Sequence, residues 1–151
     1  MNNDNFSNVM SKHIDGENWN EIERFFNSSD FSKHMGITVI LDELENPKCE
    51  IANIKPFHLG GIGQNYINGA IISAMFDLVI GLTGLKYSSS GNFATSNINI
   101  QLLKPVENNY FYATAKCNRK IGRRVFSEST LFNVKNEPCA YATGEIRIGL
   151  K

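Results

Sequence analysis

Residues 68–85 read NGAIISAMFDLVIGLTGL, and this stretch decides the fold. Its apolar residues recur at the spacing of an α-helix. One stripe of the helix consists of Ile71, Met75, Leu78, Leu82 and Leu85. Further apolar side chains occupy almost every other direction around the axis. Because a helix that is apolar nearly all round cannot face water, the pattern predicts a long helix buried in the core.

The segments on either side of this helix have the alternating pattern of β-strands. Strands are predicted at residues 37–44, 48–54, 94–103, 110–117, 125–134 and 139–148. The short connections between consecutive strands predict an antiparallel meander. An antiparallel sheet with one apolar face can cover a buried helix. We therefore expect an α+β fold in which an antiparallel sheet wraps around one long central helix.

The chain has the length of one domain with an N-terminal extension. Its 151 residues contain no internal repeat or low-complexity linker, and 42% of them are hydrophobic. The first dozen residues are polar and are predicted to be irregular. A short amphipathic helix is predicted over residues 17–27. We assign residues 1–30 to the extension and residues 31–151 to the main domain.

Composition argues against several classes of function. The 15 basic residues equal the 15 acidic ones, so no basic surface is expected for nucleic acid or for an anionic membrane. The N-terminus lacks the pattern of a secretory signal, and Ser73 and Asp77 interrupt the best candidate for a membrane span. Cys49, Cys117 and Cys139 lack the spacing of metal ligands. We expect a cytoplasmic protein without a metal site, whose cysteines are core residues.

Asp77 is the residue in the helix that calls for a chemical explanation. Its helical neighbours are apolar or small, and no lysine or arginine lies within four residues to pair with it. Steps of four place Gly69, Ser73, Asp77 and Gly81 on one face. A structural interpretation is that Asp77 accepts a backbone hydrogen bond in a closely packed region. A functional one is that Asp77 and the N–H groups at the helix N-terminus act on a carbonyl together.

The helix and the strands after it contain a set of short motifs in a fixed order. They are Asn68-Gly69-Ala70 at the helix start, Asp77 nine positions after Asn68, Thr95 at the next strand, residues 98–105 within that strand, Gly122-Arg123 in the following turn, and Ala140 and Gly144 in the final strand. In order over residues 30–150, this set resembles the hot-dog fold thioesterases, in the branch of the PaaI-type and Them2-like acyl-CoA thioesterases.

The resemblance implies a role for three of these residues. Asp77 falls at the acidic residue that activates water or attacks the thioester carbonyl. Gly69 falls at the backbone N–H that polarises this carbonyl, and Thr95 at a residue that positions water or the carboxylate from the partner subunit. The family's active site lies at a dimer interface. The resemblance thus implies a homodimer, or a dimer of dimers, that hydrolyses acyl-CoA with no cofactor beyond the coenzyme A of the substrate.

The sequence departs from the family pattern at the start of the helix. Asn68 stands where the family usually has histidine. Asparagine can donate a hydrogen bond to a carbonyl but cannot exchange a proton near neutral pH, so Asp77 would carry more of the reaction. An asparagine that the family often carries six positions earlier falls on Ile62, and Asn65 or His58 could replace it.

The remaining candidate residues would bind the substrate. Arg123, Arg124 and Lys104 could hold a phosphate of coenzyme A, although the end of a hairpin is also an ordinary place for solvated cations. Ser73 lies on the face of the helix that carries Asp77, and we include it with Asn65 and His58 among the substrate contacts.

Two other functions compete with hydrolysis. A hot-dog hydratase or dehydratase would use His58 as its base, but it needs an acidic residue where this chain has Ser73. A non-catalytic acyl-CoA binding module would use the same cleft without chemistry. The absent histidine favours such a module, whereas Asp77 argues against it because binding an acyl chain gains nothing from a carboxylate.

Overall fold

The structure, a computed structural model, describes residues 3–16, 18–42, 46–60, 65–89 and 91–149. The helices in these ranges are α1 Asn3–Asp15, α2 Trp19–Ser28, α3 Asp30–Met35 and α4 Gly69–Leu82. The strands are β1 Thr38–Ile40, β2 Lys48–Ile51, β3 Phe93–Leu102, β4 Phe111–Ile121, β5 Arg124–Asn133 and β6 Pro138–Ile148. They form one antiparallel sheet in the order β1-β2-β4-β5-β6-β3. The predicted fold class is confirmed.

Helix α4 is the central element of the core. Met75, Phe76, Val79 and Ile80 are completely buried against the apolar face of the sheet. Gly144 on β6 allows the close approach, because a Cβ there would lie 2.7 Å from Cγ2 of Ile80. The predicted core helix is therefore confirmed.

By length and hydropathy alone, the segment Gly69–Tyr87 could cross a membrane. Ser73 and Asp77 are thus insufficient, as sequence features, to exclude a membrane span. More than half of this segment is buried inside the fold. Such burial is typical of the core helix of a soluble domain.

The predicted meander is wrong at β3, which pairs with β6 and not with β4. Residues 103–110 connect β3 to β4, and at about 3.3 Å per residue they are long enough to cross from one side of the sheet to another. The Ile67 N–H donates to the Val106 carbonyl at 2.8 Å, which fixes the crossing segment beside the start of α4. A connection of this length does not require adjacent strands to pair.

The N-terminal segment is helical, so the expectation of an irregular start is wrong. Met10 and Ile14 lie one turn apart on α1 and are buried in a second apolar cluster. That cluster includes Ile22 of α2 and Leu82 and Leu85 from the central helical segment. Because these partners come from distant parts of the chain, tertiary packing stabilises a helix that its polar sequence does not predict. The predicted helix over residues 17–27 is confirmed as α2.

One edge of the sheet is covered by a helix, and the other edge is open. At the β1 edge, the Asn27 side chain of α2 donates to the Val39 carbonyl at 2.9 Å and accepts from the Val39 N–H at 2.7 Å. The Leu41 N–H donates to the Glu23 carboxylate at 2.8 Å. Helix α2 thus covers this edge, whereas no strand of the described residues pairs with the outer side of β3. An open edge of ten residues is a surface on which another strand can add.

A polar cluster on β2 and the start of β4 stabilises the outer face of the sheet. Burial would raise the pKa of Glu50, but hydrogen bonds from Lys48 and Tyr110 hold this pKa below its usual value. The Lys48 ammonium lies 2.9 Å from the Glu50 carboxylate, and the Tyr110 hydroxyl donates to it at 2.8 Å. The Glu50 side chain is only 22% exposed, so the interactions are partly shielded from solvent.

The three cysteines are free thiols. Cys49 and Cys139 are buried and Cys117 is partly buried, which agrees with their predicted place in the core. Burial raises the pKa of Cys49 to about 12, so this thiol is un-ionised at neutral pH.

Candidate active site

Asp77 and Thr95 line one cavity of about 360 Å³ between the second half of α4 and the start of β3. Gly81 lies one turn after Asp77, and a Cβ at Gly81 would lie 3.5 Å from Oγ1 of Thr95. The missing side chain therefore leaves space beside the hydroxyl. The resemblance implies that Thr95 acts from a partner subunit, and that role stays a prediction. Within one chain, Thr95 and Asp77 already line the same cavity.

Asp77 is exposed in the structure, although its position on a helix predicted to be buried implied that it would be buried too. The sheet leaves one side of α4 uncovered between its two edges, and Ala70 is exposed on the same helix. Within the described part of the chain, the Asp77 carboxylate forms no ion pair or hydrogen bond. The interpretation of Asp77 as a buried, backbone-bonded carboxylate is therefore also wrong. The oxygens are free to accept a proton from water or to contact a ligand.

Asn68 caps the N-terminus of α4. Its Oδ1 accepts a hydrogen bond from the Ala70 N–H at 2.9 Å, as helix-capping asparagines do. This cap is a structural reason for asparagine at a position where the resemblance leads one to expect histidine. Its Nδ2 lies close to Gly60, because a Cβ at Gly60 would meet that atom at 2.5 Å.

Gly69 is the first residue of α4 and lines a second cavity, of about 550 Å³. Its N–H forms no hydrogen bond with the described residues. The positive end of the helix dipole adds to this free donor, so the position suits an oxygen that becomes negative during a reaction. The cavity walls are mainly apolar and include Tyr66, Leu102 and Leu103; the two leucines were not anticipated from the sequence.

The two cavities are separated along the helix. Asp77 lies eight positions after Gly69, which corresponds to about 12 Å along the axis. One carbonyl group cannot contact both residues of the same chain. The sequence-based expectation that the donor and the carboxylate of one helix act on one carbonyl is therefore wrong.

His58 is not available to a substrate, in contrast to the prediction. It is completely buried. Its Nδ1 accepts from the Lys55 N–H at 2.8 Å, and its Nε2 lies 2.8 Å from the Met35 carbonyl oxygen. A backbone N–H can only donate and a carbonyl can only accept, so these partners specify the neutral ring with its proton on Nε2. Both ring nitrogens are thus used to connect the end of α3 to the backbone at Lys55.

Ser73 and Asn65 have backbone roles in the structure. The Ser73 hydroxyl donates to the Gly69 carbonyl one turn earlier, at 2.8 Å. Asn65 accepts at its backbone carbonyl from the Asn108 N–H at 2.8 Å, while its residue is exposed beside a third cavity. Residues 61–64 lie outside the described residues, so the structure does not test the correspondence at Ile62.

The predicted phosphate-binding residues fall at two places. Lys104 lines the Gly69 cavity and forms an exposed ion pair with Glu137 at 2.8 Å, which raises the pKa of Lys104. Arg123 is exposed in the turn between β4 and β5, and Arg124 begins β5. Arg124 lies opposite Arg147, which lies opposite Ala94, so it belongs to the end of the sheet that carries Thr95.

The apolar wall of the Asp77 cavity was not anticipated from the sequence. It includes Phe26 of α2, Leu78 and Leu82 of α4, and Phe93 of β3. The helical spacing of Trp19, Ile22, Phe25 and Phe26 was the available signal, but it shows only that one face of α2 is apolar and not which cavity that face meets.

The fold and the paired cavities define an α+β domain of the hot-dog class, in which a sheet wraps around one helix and ligand-sized clefts lie at its uncovered side. The family model of the thioesterase superfamily matches residues 64–140, which is more than half of the chain. The protein therefore belongs to the thioesterase superfamily. No curated protein matches the sequence significantly.

Solved structures agree in fold. A thioesterase superfamily-related protein from Shewanella oneidensis superposes with a TM-score of 0.77 at 18% identity, covering 93% of this chain and 98% of that one. The PaaI protein of the E. coli phenylacetic acid degradation operon gives 0.70 at 18% identity, covering 87% and 93%. A thioesterase from Haemophilus influenzae gives 0.73 at 15% identity, covering 83% and 86%. Membership of the superfamily supports a thioesterase-type function.

Proposed function

We propose that the protein is an acyl-CoA thioesterase whose active site is shared by two chains of a homodimer. In this site, Asp77 and Thr95 of one subunit meet Gly69 of the partner subunit across the interface. The observation that carries the proposal is the accessible, unpaired Asp77 carboxylate beside Thr95, about 12 Å along α4 from the free Gly69 N–H. Each chain alone thus holds two incomplete halves.

The open edge of β3 supports this dimer. Helix α4 runs beside β3 in the opposite direction, since Gly69 lies close to Leu102 and Gly81 lies close to Thr95. A two-fold axis near the middle of β3 would pair this strand with its copy in antiparallel fashion. The same axis would bring the start of one α4 towards the Asp77 half of the other. The covered β1 edge offers no such surface.

The chemistry follows from the two halves. The Asp77 carboxylate removes a proton from water, or attacks directly, and the carbonyl carbon becomes tetrahedral. The partner's Gly69 N–H and helix dipole stabilise the negative oxygen. Thr95 orients the water or the carboxylate. The carbon–sulfur bond then breaks, and the coenzyme A thiolate takes up a proton, from Asp77 after attack by water or from solvent after direct attack. Direct attack leaves an acyl–Asp77 anhydride, which a water molecule hydrolyses to the free acid and the Asp77 carboxylate. Lys104, Arg123 and Arg124 are the cations available to the phosphates of the carrier.

Asp77→Asn tests the chemical role. It keeps the size of the side chain but removes the base, so we expect kcat for acyl-CoA hydrolysis to fall by about 10²–10⁴-fold. Release of free thiol from a panel of acyl-CoA esters measures the rate, and circular dichroism and sedimentation verify folding and association. Unchanged hydrolysis by a folded variant would remove Asp77 from the mechanism.

Gly69→Pro tests whether the site is shared between chains. Proline removes the N–H, fits the first position of a helix, and follows Asn68, whose φ of −63° and ψ of 136° suit a residue before proline. Each variant alone should be nearly inactive. Subunits of Asp77→Asn and Gly69→Pro, unfolded together and refolded, should recover about a quarter of wild-type activity, because hybrid dimers contain one intact site. No recovery would place the site within one chain or reject it.

The competing functions give different results in these assays. A binding module would bind acyl-CoA without releasing thiol in any variant. The hydratase or dehydratase hypothesis loses its base, because the two nitrogens of buried His58 are occupied by backbone partners.

A further inference from the structure

The cavity that holds Asp77 and Thr95 has a wall supplied by the N-terminal helices. Phe26 lies on α2 and lines the cavity together with Leu82 and Phe93. These three residues also belong to the second apolar cluster, which α1 and α2 form against the end of the central helix. The cavity therefore extends from the reactive carboxylate towards this cluster.

The position of Phe26 is fixed by its neighbours in sequence. Asn27 connects α2 to the backbone of Val39 by two hydrogen bonds of 2.9 and 2.7 Å. The Phe25 ring packs edge-to-face on that of Phe26, with 5.8 Å between centroids and 85° between planes. A side chain held in this way forms a rigid wall, and rigid walls select ligands by size.

The character of the wall indicates what it accepts. Asp77 and Thr95 bring the carboxylate and the hydroxyl to the cavity, whereas Phe26, Leu82 and Phe93 contribute only hydrocarbon surface. An acyl group with a polar substituent would find no charged partner among these three residues and would lose hydration there. At about 360 Å³, the space in one chain is at the small end of the range for ligand pockets.

We propose that Phe26 sets the upper length of the acyl group, and that the substrate class is unsubstituted hydrocarbon acyl thioesters of limited length. This proposal rests on the proposed function, since it places the acyl chain in the cavity that begins at Asp77. The end of the acyl chain contacts the Phe26 ring. A longer chain is excluded because α2 is held to β1 and cannot move aside without breaking the Asn27 pair.

Two substitutions of opposite sign test the proposal. Phe26→Ala enlarges the cavity, and Phe26→Trp reduces it. Straight-chain acyl-CoA esters of increasing length are assayed for kcat/KM. Phe26→Ala should move the optimum to longer esters, with a gain of roughly fourfold for each additional methylene that becomes buried. Phe26→Trp should move the optimum to shorter esters.

Trp19→Ala is the matched control. Trp19 is another aromatic residue of α2, is also partly buried in the second cluster, and is not among the residues that line the cavity. It should lower stability without moving the optimum. Equal shifts for Trp19→Ala and Phe26→Ala, or the same direction of shift for Phe26→Ala and Phe26→Trp, would overturn the proposal.

Binding separates this proposal from the proposed function. S-alkyl coenzyme A thioethers cannot be hydrolysed, and calorimetry with a series of alkyl lengths reports the pocket without turnover. If the wild type releases no thiol but its longest tolerated thioether lengthens in Phe26→Ala, the hydrolase assignment fails and the role of Phe26 stands. If hydrolysis occurs and Phe26 variants change neither profile, only the role of Phe26 fails.

Discussion

Replacement of His58 by alanine should lower the free energy of unfolding, with little direct effect on the rate of hydrolysis. The ring accepts from the Lys55 N–H and donates to the Met35 carbonyl, both at 2.8 Å. Alanine leaves both groups without this partner and leaves a void where a completely buried ring had packed. Each lost partner costs about 1–2 kcal/mol where water can partly replace it, and with the void we expect a loss of about 3–5 kcal/mol.

Urea unfolding measures this loss through the fluorescence of Trp19, the single tryptophan, which is partly buried on α2. His34→Ala is the control, because His34 is exposed and contacts the Phe57 ring only at its surface, and it should change stability by less than about 0.5 kcal/mol. His58→Gln should recover part of the loss, since its amide can both accept and donate. A stable His58→Ala protein with strongly reduced hydrolysis would refute the structural role and restore His58 as a substrate contact.

Two further substitutions separate stability from function. Gly81→Ala should raise stability by about 1 kcal/mol, because alanine favours the helix and its Cβ meets Thr95 only at ordinary contact distance. The same variant should lower kcat/KM about tenfold, because the methyl group enters the cavity. Thermal unfolding measures the first effect and thiol release the second, and a destabilised or fully active variant contradicts this reasoning. Glu50→Gln should cost about 1 kcal/mol at pH 7. The folded-state pKa of Glu50 is lowered, so its stabilisation is present above the unfolded-state pKa and is lost as pH falls through the folded-state value. Urea unfolding should therefore show that the difference in stability between the two proteins narrows as the pH falls. If the difference in the free energy of unfolding between the wild type and Glu50→Gln stays constant with pH, the difference comes from packing and not from the charge.

The sequence by itself determined the class of fold and the central helix. The apolar pattern of residues 68–85 leaves no polar face large enough for water, so burial of α4 follows from the residue types alone. The alternation in the later segments likewise determined which side chains of β4 point into the core, because the strand period of two is a local property. The ordered match to a thioesterase pattern also depends only on the sequence, and the family model bears it out.

Only the tertiary structure decided which candidate residues meet. Asp77 is exposed because the curved sheet leaves one side of α4 open, and this opening depends on how all the strands pair. His58 is buried, and its Nε2 lies 2.8 Å from the carbonyl oxygen of Met35, which no local pattern connects to it. Phe26 reaches the Asp77 cavity because Asn27 binds the edge of β1, a contact between segments twelve residues apart. Periodicity reports the face of each element, whereas long-range packing decides what that face contacts.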